Sequence, residues 1–447
     1  MKPSIRQTLL FLATCLATLP PLTHAAPAVS FDTASYSPSF IIKRDVVVLG
    51  GGASGTYAAI ALRDRKKSVA VIEKQDYLGG HTNTYTDPAS GKKIDYGVVL
   101  YEDIDIVKKF FARFDIPLTV ANFSSQLTPY RVDFRTGKQV AGYTPADPTA
   151  GFGAYGAQLA KYAFLNEPGY DLPNPVPDDL LIPFGDFIKK YKIDSAVFTI
   201  NEYAQGFGNL LEIPSLYVLR YFGTSTLAGF QAGFLTTARG NNGELYEKAS
   251  KELGGDVFLS STVIATLRTN NGVKLVIQTP QGLKLVIASK LIISAPPLVS
   301  NLAGFDLSTQ ERSLFQQWVT GAYYTSLVSD TGIPDIDSIT NVGADTPYNL
   351  PPDAAVKSAI VATINRIKTA SGIPGTTPST PKFVAFNSHT PYELRVSSDA
   401  IKGGFYAQLN ALQGAGGAKS TFYTGAAFAR HGSGDVWAFT EGIVAGL

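Results

Sequence analysis

An α/β fold, in which a parallel sheet carries one domain and a mixed α+β domain is interleaved with it, is predicted by three observations. The first is "DVVVLG" (Asp45 to Gly50), a short continuous apolar run that reads as a strand buried on both faces. The second is "GTYAAIALRDRKK", which starts at Gly55 and reads as a helix. Its small residues face inward, and its charges gather at the C-terminal end, where they suit the helix dipole. The third is "SVAVIEK" (Ser68 to Lys74), a second buried strand. Together they form a βαβ unit of about thirty residues.

The turn between the first strand and the helix carries glycine at positions 50, 51, 52 and 55. Gly50, Gly52 and Gly55 make Gly-x-Gly-x-x-Gly in the context that gives the pattern its meaning. The first glycine permits a tight turn, the second lets backbone amides approach a pyrophosphate, and the third lets helix and strand pack closely. Ala53 and Ser54 complete the turn at the helix N-terminus. Glu73, 23 residues past Gly50, ends the second strand where it can accept hydrogen bonds from a ribose. A Rossmann-type dinucleotide site follows. "GFGAYG" (Gly151 to Gly156) fits the same pattern but follows "TPADPTA", with no buried strand before it and no acidic residue after a second one. It reads as a loop and helix start with no nucleotide.

The rest of the chain divides by pattern. Residues 104 to 116 read as an amphipathic helix, and "PYRVDFRTGKQVAGY" (Pro129 to Tyr143) as a hairpin turning at Thr136-Gly137. From about 150 to 235 the pattern is largely helical, broken by the proline-rich "EPGYDLPNPVPDD". Ser261 to Pro297 reads as a run of strands with turns at Asn270-Asn271-Gly272 and Gln281-Gly282. Residues 300 to 415 mix strands and helices. The end, "STFYTGAAFARHGSGDVWAFTEGIVAGL", reads as strand, loop and short helix.

Composition narrows the partners. With 38 basic and 36 acidic residues in 447, the net charge is +2, which gives no ground for nucleic acid or an anionic membrane surface. The first residues read as a secretory signal: Lys2 and Arg6, then the twelve-residue apolar run Thr8 to Leu19, then small residues suited to cleavage near Ala25 or Ala26. Twelve apolar residues are too few to span a bilayer, so no stable membrane anchor is expected. The one cysteine, Cys15, lies inside that signal, leaving the mature chain without thiol or disulfide. Asn122-Phe123-Ser124 is a glycosylation sequon compatible with this route. Lys43-Arg44 reads as the lip of the first strand in preference to a dibasic processing site.

After the ribose carboxylate the sequence continues "EKQDYLGGHTNTY" and "KKIDYGVVLY". These stretches resemble the flavin-containing amine oxidoreductase superfamily, in which a Gly-Gly-Arg loop folds over FAD and an Asp-x-Gly, here Asp95 and Gly97, lies beside the flavin. "STVIATL" and "KLIISAPP" resemble its adenine-side strand and its return to the cofactor domain, and "FYTGAAFARHGSGDVWAFTEGIVAG" its flavin-ribityl loop and helix. Within the superfamily, "LGGGASGTYAAIALRD", "LGGHTNT" and "VWAFTEGIVAG" look most like the fungal secreted β-cyclopiazonate dehydrogenase family. That resemblance implies FAD as cofactor, held by Gly50, Gly52, Ala53, Ser54, Gly55, Glu73, Gly79, Gly80, His81, Val263, Gly425, Val436 and Trp437.

It also implies segment boundaries. A signal peptide (1–26) and linker (27–42) precede FAD-binding segments at 43–103, 236–299 and 419–447. Substrate-domain segments fill 104–235 and 300–418. The expected activity is FAD-dependent oxidation of a bulky, apolar small molecule, with oxygen or another acceptor taking the electrons. A lipid double-bond isomerase and a non-catalytic flavoprotein are the alternatives.

Two departures from the superfamily matter. Gly79-Gly80-His81 replaces an arginine by an imidazole, so phosphate binding is expected to rest more on backbone amides or on a partly protonated His81. No lysine lies between "SAPP" and "YYTSLV", where amine oxidases usually carry one that holds water against the flavin. His81, His389 and His431 are the only histidines beyond the signal, so covalent attachment of FAD to one of them stays open. Tyr323 and Tyr324 are candidate catalytic or stacking residues, strand alternation sending one of them to the core. No metal is expected: His431 and Asp435 lack a third ligand.

Overall fold

A computed structural model describes residues 29–122, 127–342, 353–414 and 420–447. The expected signal segment, Cys15 and the last two residues of the sequon lie outside them. The strands of the main sheet are β1 (Ile41–Leu49), β2 (Val69–Ile72), β3 (Val257–Phe258), β4 (Thr262–Thr269), β5 (Gly272–Thr279), β6 (Gly282–Ile293) and β7 (Thr421–Tyr423). Their order is β4-β5-β6-β1-β2-β3, with β7 beside β6.

β1 is parallel to both β2 and β6, and β6 is parallel to β7. The antiparallel β4–β5–β6 hairpins extend the sheet at one edge, turning where Asn271-Gly272 and Gln281-Gly282 stand. β6 is long enough to change neighbours: Leu283 to Ala288 face β5, and Leu291 to Ile293 face β7. Val46, Val47, Val48 and all of β2 are buried, as a strand covered on both faces requires. The first helix, α1 (Ala53–Asp64), crosses between β1 and β2 and buries Ala58, Ala59 and Leu62.

The expected linker is in part structured. Thr33–Ser35 and Pro38–Phe40 form short 3-10 turns, and β1 begins at Ile41, inside the 27–42 range. Ile41 and Ile42 pair with Leu285 and Val286, a long-range partner that local pattern does not reveal. Lys43 and Arg44 are strand residues, and Arg44 pairs with Asp256.

The other part of the molecule holds the helices Thr149–Lys161, Phe184–Tyr191, Ser215–Tyr221 and Thr224–Ala232, with two-stranded ribbons joining Val319–Gly321 to Tyr392–Arg395 and Tyr324–Ser329 to Lys382–Ser388. Gly151 to Gly156 lie wholly inside the helix Thr149–Lys161, where a loop and helix start was expected. Gly151 is there for contact: an added Cβ would meet Ala196 N at 2.6 Å and Ser195 Oγ at 2.7 Å. In this second pattern Gly151 serves packing, whereas Gly153 has nothing within 4 Å of an added Cβ.

Candidate functional site: the cofactor cradle and the chamber beside it

The carboxyl ends of the parallel strands meet at β1 and β6, where the strand order reverses, the place an open α/β sheet presents a ligand crevice. Ser294, just past β6, donates its amide to Leu49 O (2.8 Å) and its hydroxyl to Gly50 O (2.9 Å), pinning the glycine turn. Gly50 has φ +98°, open to glycine and strained for other residues. A Cβ on Gly55 would overlap the Gly50 carbonyl, so strand and helix can touch only here.

Gly52 differs. A Cβ there would have only Gly80 Cα nearby, at 3.8 Å, so its face is open. Gly52 is also the N-cap of α1 and gives it no side-chain hydrogen bond, leaving the amides of Ala53, Ser54 and Gly55 without a cap. Unclaimed amides around an open glycine fit an incoming pyrophosphate. The Gly79-Gly80 loop, at φ +129° and +58°, closes over this turn.

Glu73 is buried and accepts hydrogen bonds from the Gly51 amide (2.6 Å) and the Gln75 amide (2.7 Å). It therefore braces the glycine turn directly, a second duty beside the one expected of it. Val263 lies on β4 at a bulge close to Ser261, whose amide donates to Glu73 O (2.9 Å). Gly425, at φ +98°, faces Ser294 O and Ser54 Oγ, bringing the end of the chain onto the cradle.

Val436 and Trp437 belong to the C-terminal helix, Ser433–Val444. The Trp437 indole is fully buried between α1 and the helix Asp105–Ala112, against Tyr57, Phe110 and Phe111, and donates to Ala53 O (3.1 Å). This ring is spent on protein packing, and it ties the starts of two helices together. Asp95 is likewise a brace. It accepts from the Thr84 hydroxyl and the Asn242 amide, and burial raises its pKa. Gly97 leaves no room for a Cβ against His81 O.

The three histidines, remote in sequence, converge. His81 stacks on His389 at 4.4 Å between ring centroids and lies 6.4 Å from His431. Tyr392 joins them, 5.6 Å from His81 and 4.1 Å from His431, and Tyr323 stands 5.2 Å from Tyr392 and 5.6 Å from His389. Tyr324 turns away and stacks on Phe386. Of the two candidate tyrosines, Tyr323 makes ring contacts with this cluster.

The positive charge expected of His81 beside a bound pyrophosphate is opposed, in the protein alone, by its surroundings. Burial, then the imidazoles of His389 and His431, hold it well below its ordinary pKa. Burial also lowers His389 to about 4 and His431 to about 3. The tautomers follow from partners. Asn83 Nδ2 donates to Tyr77 Oη, so its Oδ1 accepts from His389 Nε2 (3.0 Å). His431 Nε2 accepts the Glu393 amide (3.1 Å), which places its proton on Nδ1. Asp435 is bound to Arg430, so it is engaged away from His431. Among the described residues no group of three His, Cys, Asp or Glu is placed to hold a metal.

The sequence offered His81, His389 and His431 as separate candidates for flavin attachment and did not mark them as neighbours. Glu393, Asn83 and Tyr392 carried no sequence signal, since only the fold brings Tyr392–Arg395 to the start of the C-terminal helix.

A dinucleotide cradle with a cluster of rings beside its Gly79-Gly80 loop points to a class: a nucleotide-dependent enzyme. Residues 48–114 match the NAD(P)-binding Rossmann-like domain family. The chain is 41% identical over 442 residues to an FAD-dependent oxidoreductase of Cochliobolus heterostrophus, covering 90% of each. It is 35% identical to the β-cyclopiazonate dehydrogenase of Aspergillus oryzae, covering 90% of this chain and 92% of that one. Among solved structures, a CLA-producing fatty acid isomerase from P. acnes superposes with TM-score 0.70 at 19% identity, over 90% of this chain and 98% of that one. Putrescine oxidase bound to putrescine gives 0.64 at 16% identity, over 91% and 99%. The chain belongs to the family of fungal FAD-dependent oxidoreductases that includes β-cyclopiazonate dehydrogenase. It is an FAD-dependent enzyme, and the cradle at Gly52 is where its residues fit the pyrophosphate.

Proposed function

We propose that this protein is a secreted oxidoreductase that oxidises a bulky, largely apolar small molecule of the fungal secondary-metabolite type, including oxidative ring closure. The support is the ring cluster: Tyr323, Tyr392 and three imidazoles of lowered pKa bring flat rings and neutral polar edges together beside the cofactor cradle. Kinship with β-cyclopiazonate dehydrogenase supports the substrate class.

Bound FAD would supply hydride acceptance from a substrate carbon, and oxygen is the proposed final acceptor, giving hydrogen peroxide. The chain's own groups do the rest. The amides of α1 hold the pyrophosphate, Glu73 holds the ribose, and the tyrosine face orients the substrate. The basic, apolar and small-residue order of residues 1–26 supports entry into the secretory pathway.

The test is anaerobic mixing of the yellow holoenzyme with a panel of polyketide and indole-tetramic acid compounds. Bleaching by one of them, with peroxide formed in equal amount on admitting air, is expected. Double-bond isomerisation of an unsaturated fatty acid without peroxide would favour the isomerase reading. No bleaching by any donor would favour a binding role. Secretion is checked by expressing the full chain with and without residues 1–26 and sequencing the N-terminus of protein in the medium.

A further inference from the structure

One acid in the chamber has no assigned role. Glu393 follows Tyr392 in the strand Tyr392–Arg395 and is 6% exposed. Its φ is +48°, a left-handed conformation that residues other than glycine rarely adopt and that persists only where the surroundings enforce it. Its Oε1 is buried without a hydrogen-bond partner. The nearest base, His431 Nε2, is 3.9 Å from that oxygen and already accepts the Glu393 amide. A carboxyl held in strained backbone beside Tyr392, with one buried oxygen left without a hydrogen bond, has capacity for a partner that the protein does not itself provide.

We propose that Glu393 is a substrate-binding residue, its carboxyl O–H donating a hydrogen bond to a carbonyl or enol oxygen of an uncharged, flat substrate lying against Tyr392 and Tyr323. The inference rests on the oxidoreductase reading above and narrows its substrate to oxygen-bearing, non-cationic compounds. The groups that bear on Glu393 are mostly neutral: Tyr170, Tyr217, Tyr221, Tyr392 and Tyr406, with His431. Arg395 is the one cation that bears on it. Burial outweighs that cation and pushes the carboxyl up to about 8, so near neutral pH it is a donor. An ionised carboxylate would instead select a protonated amine.

The test uses FAD-loaded protein and needs no known substrate. Ionisation of a carboxyl in the chamber changes the field on the flavin, so the visible spectrum of wild type should shift with a midpoint near 8. E393Q should bind FAD equally and lose the shift, and Glu393→Met provides a second variant should E393Q fold poorly. A wild-type spectrum without this transition, or a variant that keeps it, overturns the proposal. Cyclohexylamine and putrescine serve as cationic probes, and neither should bleach wild type at neutral pH. Bleaching by either overturns it as well. Colourless wild-type protein would defeat the flavoenzyme reading, which is a separate outcome.

Discussion

At the scale of single residues, two glycines in one motif have opposite reasons to exist. Gly52 has open space where a side chain would go, whereas a Cβ on Gly55 overlaps the Gly50 carbonyl. Gly52→Asp should therefore fold with a thermal midpoint close to wild type yet purify colourless. Gly55→Ala should lose about 1–3 kcal/mol of stability, the usual cost of overpacking. Calorimetry of the two apoproteins and their flavin content check this, and a yellow Gly52→Asp would remove the pyrophosphate from that turn. Glu73→Ala should weaken FAD binding by about 1–3 kcal/mol, the scale of a charge-assisted hydrogen bond. Since Glu73 also holds the Gly51 amide, Glu73→Gln should recover part of that loss. Equal FAD affinity in wild type and both variants, measured by dialysis, would confine Glu73 to its strand end. The glycines and Glu73 were legible because strand, turn, helix and acid lie within thirty-odd residues and each step is local. The neutrality of His81 was not, because its neighbours His389 and His431 are some three hundred residues away in the chain.

Between elements, the most demanding contact is ionic. Arg268 on β4 and Glu311 in the helix Thr309–Phe315 are both 1% exposed at their side chains and make a two-pronged pair at 2.7 and 2.8 Å. Asp306 and Tyr423 complete the network, so the hairpin edge, that helix and β7 are joined at one point. Arg268→Met would leave the Glu311 carboxylate buried alone and should cost about 3–5 kcal/mol. Arg268→Met combined with Glu311→Leu should restore much of it. Denaturant unfolding of the three proteins checks the ordering, and a double variant no better than the single would locate the cost elsewhere. Glu311 is lowered to about 2 by the Arg268 guanidinium against its burial, so this stabilisation is present above the ordinary glutamate range and lost as pH falls from there towards 2. Periodicity predicted the strands on one side of this contact. It did not mark the pair, because a buried charge needs a partner that only tertiary structure supplies. The same limit explains the early start of β1, whose Ile41 and Ile42 are strand residues through their pairing with β6.

For the whole molecule, the chamber sets a pH window on the apoprotein. Glu393 has a folded-state value near 8, above that of an unfolded glutamate, so the native state holds the extra proton and stability falls as pH rises through that interval. His389 and His431, near 4 and 3, are neutral when folded and charged when unfolded below about 6.5, so stability also falls as pH drops from there. Thermal midpoints of apoprotein should peak between these limbs. E393Q should flatten the alkaline limb, and His431→Phe the acid limb. Unchanged limbs in both variants would mean that these groups titrate alike in the folded and unfolded chain. Changes of pattern along the sequence suggested where strands and helices alternate, but the ring cluster was not legible, since the ribbon carrying Tyr392 and Glu393 and the start of the C-terminal helix are brought together only by the fold.

The sheet's use of β7 has a consequence for how the cradle is put together. The glycine turn is complete within the first quarter of the chain, yet Gly425, the Trp437 bond to Ala53 and the start of the C-terminal helix all come from the last thirty residues. The cradle is therefore closed by residues nearly four hundred positions away from the turn that opens it. A cut anywhere between the two would separate the glycine turn from Gly425 and Trp437, so the two ends of the cradle are one unit although the sequence keeps them apart.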